Sequence, residues 1–301
     1  MRQETRRATL VGIGAVLLWA LLALFTAGSG SVPPLQLTAM SFAVAFLIAL
    51  AVWIRRGQNP LRRLRQPPWA WILGVTGLFG YHAMYFVALR NAPVVEASLI
   101  AYLWPLLIVL FSALLPGQRL KPMHVVGAVL GFAGASLIVA RHGAQFDPAF
   151  ATGYLAAIAC ALIWSGYSVL NRRFAHVPTD AVGGFCGVTA IGALILHLAT
   201  EQTVTPDGLE WLAILGLGLG PVGGAFFLWD IGTKHGDLRV LGAAAYLAPL
   251  LSTLVLVAAG AAAATWQVGL ACLLITGGAV LASLDMLRRG PHDPDDKPAA
   301  D

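Results

Sequence analysis

Tyr81, His82 and Tyr85 fall within five residues of one another, and a helix carries them on one face. A titratable imidazole between two phenols exceeds what packing needs and points to a cavity. Hydrogen bonding to a neighbouring helix is the plainer alternative. Downstream lies Glu96–Phe111, EASLIAYLWPLLIVLF, which starts with an acid and carries Pro105 in mid-run. Ser98 stands one turn before Tyr102 on the same face and can donate a hydrogen bond. Tyr102 and Trp104 are two residues apart, about 200° on a regular helix, so they share a cavity only if Pro105 turns the chain. Trp164, Tyr167 and Asn171, at i, i+3 and i+7, form a stripe with an aromatic end and a polar end. Two acids are candidates for proton or ammonium handling, alongside His82. Glu96 has the alternative of an interfacial acid beside a helix N-terminus, and Asp230 that of an ion pair with Lys234 at i+4. No H-E-x-x-H, G-x-S-x-G or pair of acids in apolar surroundings is present, so no catalytic residue is assigned and an enzyme is not expected. The three cysteines, Cys160, Cys186 and Cys272, have neither disulfide nor zinc spacing, and no metal or cofactor is implied.

The elements that must position these residues are membrane helices. Of 301 residues, 58% are hydrophobic and 11% charged, against about 25% charged in a soluble domain. Ten apolar runs can span ~30 Å of hydrocarbon, at roughly 8–27, 33–54, 69–89, 93–115, 122–140, 151–171, 180–199, 209–232, 239–260 and 265–286. With the N-terminus in the cytoplasm, every Lys and Arg except Arg90 and Arg141 falls on the cytoplasmic side or at a span edge there, as the positive-inside rule requires. One span more or fewer would scramble that alternation. Both termini are therefore expected in the cytoplasm. The net charge of +5 is a topology signal, and no basic stripe interleaved with aromatics suggests nucleic acid. The first run is long for a secretory leader and is taken as an uncleaved helix.

The chain also repeats itself. Residues 101–107 read AYLWPLL and residues 245–251 read AYLAPLL, an offset of 144. The same offset relates Gly80 to Gly224, Pro105 to Pro249 and Gly134-Ala135 to Gly278-Ala279, while Leu17-Leu18-Trp19 resembles Leu162-Ile163-Trp164 at 145. The expected architecture is all-α: ten transmembrane helices as two five-helix repeats, 1–145 and 146–290, with a disordered cytoplasmic tail at 291–301. Five is odd, so the second copy is inverted, an arrangement that puts substrate between the copies and supports alternating access. Pro105 is expected to free the Ala101 carbonyl, and Pro249 that of Ala245. Each would be buried in protein or line a wet cavity, where it could hold an ammonium group or a water. A kink that serves packing is the other possibility. The glycines around Pro221 mark span 8 as a moving or broken helix.

ATLVGIGAVLLWA, YLWPLLIVLFSALLPGQR, LIWSGYSVLNRRFA and WDIGTKHGDLRVLGAAAYLAPLLS resemble the EamA-type drug/metabolite transporter superfamily along essentially the whole chain. The resemblance implies a multi-pass protein of the bacterial inner membrane. It further implies export of aromatic and other neutral amino acids, of the phenylalanine, tryptophan, tyrosine and methionine class. The alternative is a broader exporter of amphipathic drugs or other metabolites. An amino-acid exporter needs flat walls for the side chain, acceptors or ring faces for the ammonium, and donors for the carboxylate. Trp19, Tyr81, His82, Tyr85, Ser98, Tyr102, Trp104, Trp164 and Tyr246 are the expected substrate-binding residues, with Pro105, Pro221 and Pro249 as helix kinks or gates. The expected partners are an amino-acid substrate and the lipid bilayer. No phosphate-binding loop is present, and no ATPase subunit is implied.

Overall fold

Hydrocarbon offers backbone N–H and C=O groups no partners, so a chain this apolar must satisfy them internally. The computed structural model is all-helical among the residues it describes, 2–116, 120–140, 143–258, 263 and 265–288. Ten helical runs there are long and apolar enough to cross a membrane. Spans 1 to 5 are Gln3–Gly28, Pro34–Arg55, Pro68–Asn91, Val94–Ser112 and Pro122–Val139. Spans 6 to 10 are Pro148–Phe174, Ala181–Thr200, Gly208–His235, Leu238–Ala258 and Trp266–Leu284. Their number agrees with the hydropathy reading, and their ends agree to a few residues. The tail assigned to 291–301 lies outside the described residues, as do Arg119, Arg141, Arg289 and Lys297 of the charge argument.

Local chemistry sets several helix starts. Pro34, Pro68 and Pro122 occupy first turns, where a missing N–H is no loss. Asp207 caps span 8 and Glu210 reciprocates in a capping box. Spans 2 and 7, 4 and 9, and 5 and 10 pack on one another, while span 1 packs on span 8 and span 6 on span 3. The crossing of spans 5 and 10 needs glycine. A Cβ at Gly127 would sit 2.5 Å from the Gly278 carbonyl oxygen, and one at Gly278 would sit 2.4 Å from that of Gly127.

Five spans are interrupted. Span 1 breaks at Ala20–Leu21, directly after Trp19. Spans 3 and 8 each contain a π-helical turn, Thr76–Gly80 and Gly220–Gly224, at the offset of 144 found in the sequence. Span 4 breaks at Tyr102–Leu103 and span 9 at Tyr246. The prolines thus act differently from the expected mid-helix kink. Pro105 stands in the first turn of the helix Trp104–Ser112, and Pro249 in that of Leu247–Ala258. The chain stops the preceding helix before the ring can clash with a carbonyl and restarts with proline where it is tolerated.

The ends of the spans are pinned by charge. Glu201, after span 7, accepts from the N–H groups of Leu35 at 3.1 Å and Gln36 at 3.2 Å. An acid belongs at this helix N-terminus. His197 Nδ1 lies 3.0 Å from the same carboxylate and Arg90 Nη2 3.3 Å, which gives Arg90, an exception to the charge rule, a local partner. At the face that carries the N-terminus, Asp230 and Lys234 form a fully buried pair, Oδ2 to Nζ 2.8 Å. Asn171 Nδ2 donates to Asp230 Oδ1 at 3.0 Å and Thr179 Oγ1 to Oδ2 at 2.6 Å. Lys234 Nζ also donates to the Val177 carbonyl at 2.9 Å. Beside this network Asp237 caps span 9, and its N–H donates to Thr9 Oγ1 at 2.8 Å. Burial pushes the Asp237 carboxyl up. Hydrogen bonds and charge from Arg239, whose Nε lies 2.9 Å away, outweigh this and hold it below its usual value.

Lys234→Met leaves the Asp230 carboxylate buried without its cation, an expected loss of about 3–5 kcal/mol. Pairing it with Asp230→Leu recovers much of that loss, which melting of the three variants in one detergent would check. For Asp237, a carboxyl lowered on folding stabilises the protein fully above the unfolded value, about 3.9. That contribution is lost as pH falls through the lower folded value. Wild type should therefore melt above Asp237→Asn at pH 7, with the gap closing under acid conditions below about pH 4.

Candidate functional site

The interruptions bring four tryptophans from four spans together. Trp19 of span 1, Trp104 of span 4, Trp164 of span 6 and Trp229 of span 8 are all mutual neighbours. Their ring centroids are separated by 5.1 Å for Trp19–Trp229, the nearest pair, and 6.4 Å for Trp164–Trp229, the farthest. Trp104 stands edge-on to the other three, at 85° to 88°. Such pairs contribute about 0.5–1.5 kcal/mol each beyond the area they bury. Phe226 continues the wall, 5.6 Å from Trp164 and stacked on Phe42 at 5.6 Å. Tyr81 closes it from span 3, 5.4 Å from Trp164, and stacks at 6.1 Å on Tyr85.

Polar tips fix these rings. The Trp19 indole N–H donates at 3.0 Å to the Pro221 carbonyl in the π-turn of span 8. In span 3, His82 Nδ1 donates at 2.7 Å to the Leu78 carbonyl, in the other π-turn. A carbonyl only accepts, so Nδ1 carries a proton, and in the neutral ring Nε2 is the acceptor. The His82 ring stands edge-on to Phe42 at 5.2 Å. The Trp229 indole donates to Ser168 Oγ at 3.0 Å, and Tyr85 Oη lies 3.4 Å from Ser98 Oγ. The indole N–H groups of Trp104 and Trp164 and the phenol of Tyr102 make no hydrogen bond to protein among the described residues.

Several expected residues meet here and others do not. Trp19, Tyr81, His82, Trp104 and Trp164 form one contiguous cluster, with Tyr85 and Ser98 adjoining it. Past the break in span 4, Trp104 turns into the cluster, while half-buried Tyr102 makes no ring contact with it among the described residues. Tyr246 is fully buried, and its hydroxyl lies within the break of span 4. That hydroxyl meets the Tyr102 carbonyl, one residue beyond the Ala101 carbonyl expected to be free. Pro221 contributes its carbonyl to Trp19. Glu96 stands apart, in the first turn of span 4. Its Oε1 accepts from the Gln145 N–H at 2.6 Å, and its buried Oε2 has no partner among the described residues. Asp230 and Asn171 belong to the ion-pair network described above, where both oxygens of Asp230 are engaged.

Trp229, Phe226 and Phe42 were missed. The repeat held a signal for two of them, since Trp229 is 144 residues beyond Tyr85 and Phe226 144 beyond His82. The arrangement offers flat apolar walls, ring faces for a cation, and three free donors from Trp104, Trp164 and Tyr102 for an anionic group. It suits a small molecule with an apolar side chain and charged ends.

A model of the EamA-like transporter family matches the chain twice, over residues 6–140 and 151–284. A protein of Ancylobacter novellus named "Aromatic amino acid exporter YddG" is 54% identical over 92% of this chain and 97% of its own. One of the same name in Escherichia coli is 25% identical over 95% and 99%. A solved structure with 53% identity superposes with a TM-score of 0.90, covering 94% of this chain and 98% of that one. With ten apolar helices and relatives that are transporters rather than enzymes, this is a multi-pass membrane protein, and the chain belongs to the EamA-like transporter family.

Proposed function

We propose that the protein exports aromatic and other neutral amino acids across the bacterial inner membrane as a secondary transporter. The observation that carries this reading is the shared tryptophan cluster, built from spans 1, 4, 6 and 8 and left with free N–H donors. The substrate side chain lies against Trp164 and Trp104, and its carboxylate takes the indole N–H groups and the Tyr102 hydroxyl. Its ammonium meets ring faces and the hydroxyl oxygens near Tyr85 and Ser98. The printed name of the 54% identical relative supports this substrate class.

The two family matches support two five-helix copies, 1–145 and 146–290. The paired π-turns and the pairing of spans 2 with 7, 4 with 9 and 5 with 10 fit copies related by inversion. Alternating access then rocks one copy against the other around the aromatic cluster. Cytoplasmic termini follow from the distribution of Lys and Arg. His82 is the candidate for proton or ammonium handling at the cluster. Glu96 is a second one, away from it.

Liposomes holding the purified protein and labelled tryptophan, phenylalanine or methionine provide the test, with and without a pH gradient. Wild type should carry all three. Trp164→Ala should lower aromatic flux by about tenfold, with Trp164→Phe intermediate and both variants monodisperse. An amino-acid flux no greater than that of empty liposomes, together with flux of amphipathic drugs, would move the assignment to a broader exporter.

A further inference from the structure

Trp104 begins the second helix of span 4, directly after the break at Tyr102–Leu103. The direction of its ring is therefore set by how that helix restarts. In an unbroken helix the Leu106 N–H would donate to the Tyr102 carbonyl, four residues back. Here a side chain from span 9 stands between the two groups. The Tyr246 hydroxyl donates to the Tyr102 carbonyl at 3.1 Å and accepts from the Leu106 N–H at 3.2 Å. Insertion of a side chain into the hydrogen-bond ladder is one of the few recognised causes of a sharp helix bend. The two bonded groups flank Trp104 and Pro105.

The inserted group is itself held rigidly. Tyr246 is fully buried, and its ring packs among Ala135, Leu250, Ala271 and Ile275, with Phe132 at 6.3 Å. Gly131 of span 5 makes room for it, since a Cβ there would lie 2.5 Å from the ring. A phenol fixed this way presents its oxygen at one place. Tyr102, 144 residues earlier in the matching heptapeptide, makes no reciprocal bridge. Its phenol has no partner among the described residues.

We infer that Tyr246 is a positioning residue that aims Trp104 into the aromatic cluster without touching substrate, so that a hydroxyl on span 9 sets the preference for aromatic over aliphatic side chains. This deepens the exporter assignment and rests on it. It also moves Tyr246 from the substrate wall to its support. Loss of the hydroxyl leaves the Tyr102 carbonyl and the Leu106 N–H without their bridge, while Pro105 still prevents an unbroken helix. The start of the second helix is then no longer pinned, and Trp104 loses its fixed aim.

The experiment is a double-mutant cycle of Tyr246→Phe and Trp104→Ala in liposomes, with tryptophan and methionine as substrates. Hydrogen exchange of segment 103–108 is followed on the same preparations. Tyr246→Phe should melt close to wild type and raise the tryptophan KM roughly three- to tenfold, with little change for methionine. In the Trp104→Ala background it should change nothing further. Amide exchange at Leu106 should quicken in Tyr246→Phe. Trp104→Phe replaces Trp104→Ala in the cycle if the alanine variant is not monodisperse. Equal losses for both substrates, additive effects in the cycle, or unchanged selectivity would overturn the role. A wild type without amino-acid flux removes the exporter assignment and this role with it. Leu106 exchange still reads the bridge in that case, because it needs no substrate.

Discussion

Every backbone group that a broken helix releases inside hydrocarbon has to find a partner within the protein. The site depends on that constraint. Spans 1, 3, 4, 8 and 9 are all interrupted, and in spans 3, 4 and 8 the polar tips of aromatic rings occupy the gaps. The Trp19 indole takes the Pro221 carbonyl in one π-turn, and the His82 imidazole takes the Leu78 carbonyl in the other. The Tyr246 hydroxyl takes both groups at the break of span 4. Two of these rings, Trp19 and His82, also belong to the aromatic cluster, and the third, Tyr246, supports it from behind.

Charge is kept away from this centre. Glu201 gathers the N-terminus of span 2, His197 and Arg90 at one face, and Asp230 with Lys234 ties spans 6 and 8 at the other. The buried ions Glu201, Asp230 and Lys234 each have more than one hydrogen bond, the condition under which a buried charge is tolerable. The middle is left to neutral donors and ring faces. For the amino-acid substrate proposed above, neutral groups favour weak binding and release, whereas a fixed counter-charge would hold it.

Much of the architecture was legible in the residues. Hydropathy marked ten spans, and the heptapeptides AYLWPLL and AYLAPLL marked corresponding helices. Trp19, Tyr81, His82, Trp104 and Trp164 were singled out for the site, and the structure brings them into one cluster. Trp229 was passed over because its indole sits beside the more conspicuous Asp230. Tyr246 was grouped with the substrate wall because its repeat mate is Tyr102. The prolines were legible as interruptions, but the interruption falls before Pro105 and Pro249 rather than at them.

Span count, the bias of Lys and Arg and the internal repeat are properties of order along the chain, and composition and spacing alone determine them. Partner identity is different. Which distant groups closed around the Asp230–Lys234 pair, and which carbonyl the Tyr246 hydroxyl reached, depended on residues 51 to 144 positions away. Those contacts exist only once the spans cross, and they cross closely where Gly127 meets Gly278 because only glycine leaves room. Periodicity records which face of a helix is apolar. It does not record which other helix that face will meet, and that choice was made by packing in three dimensions.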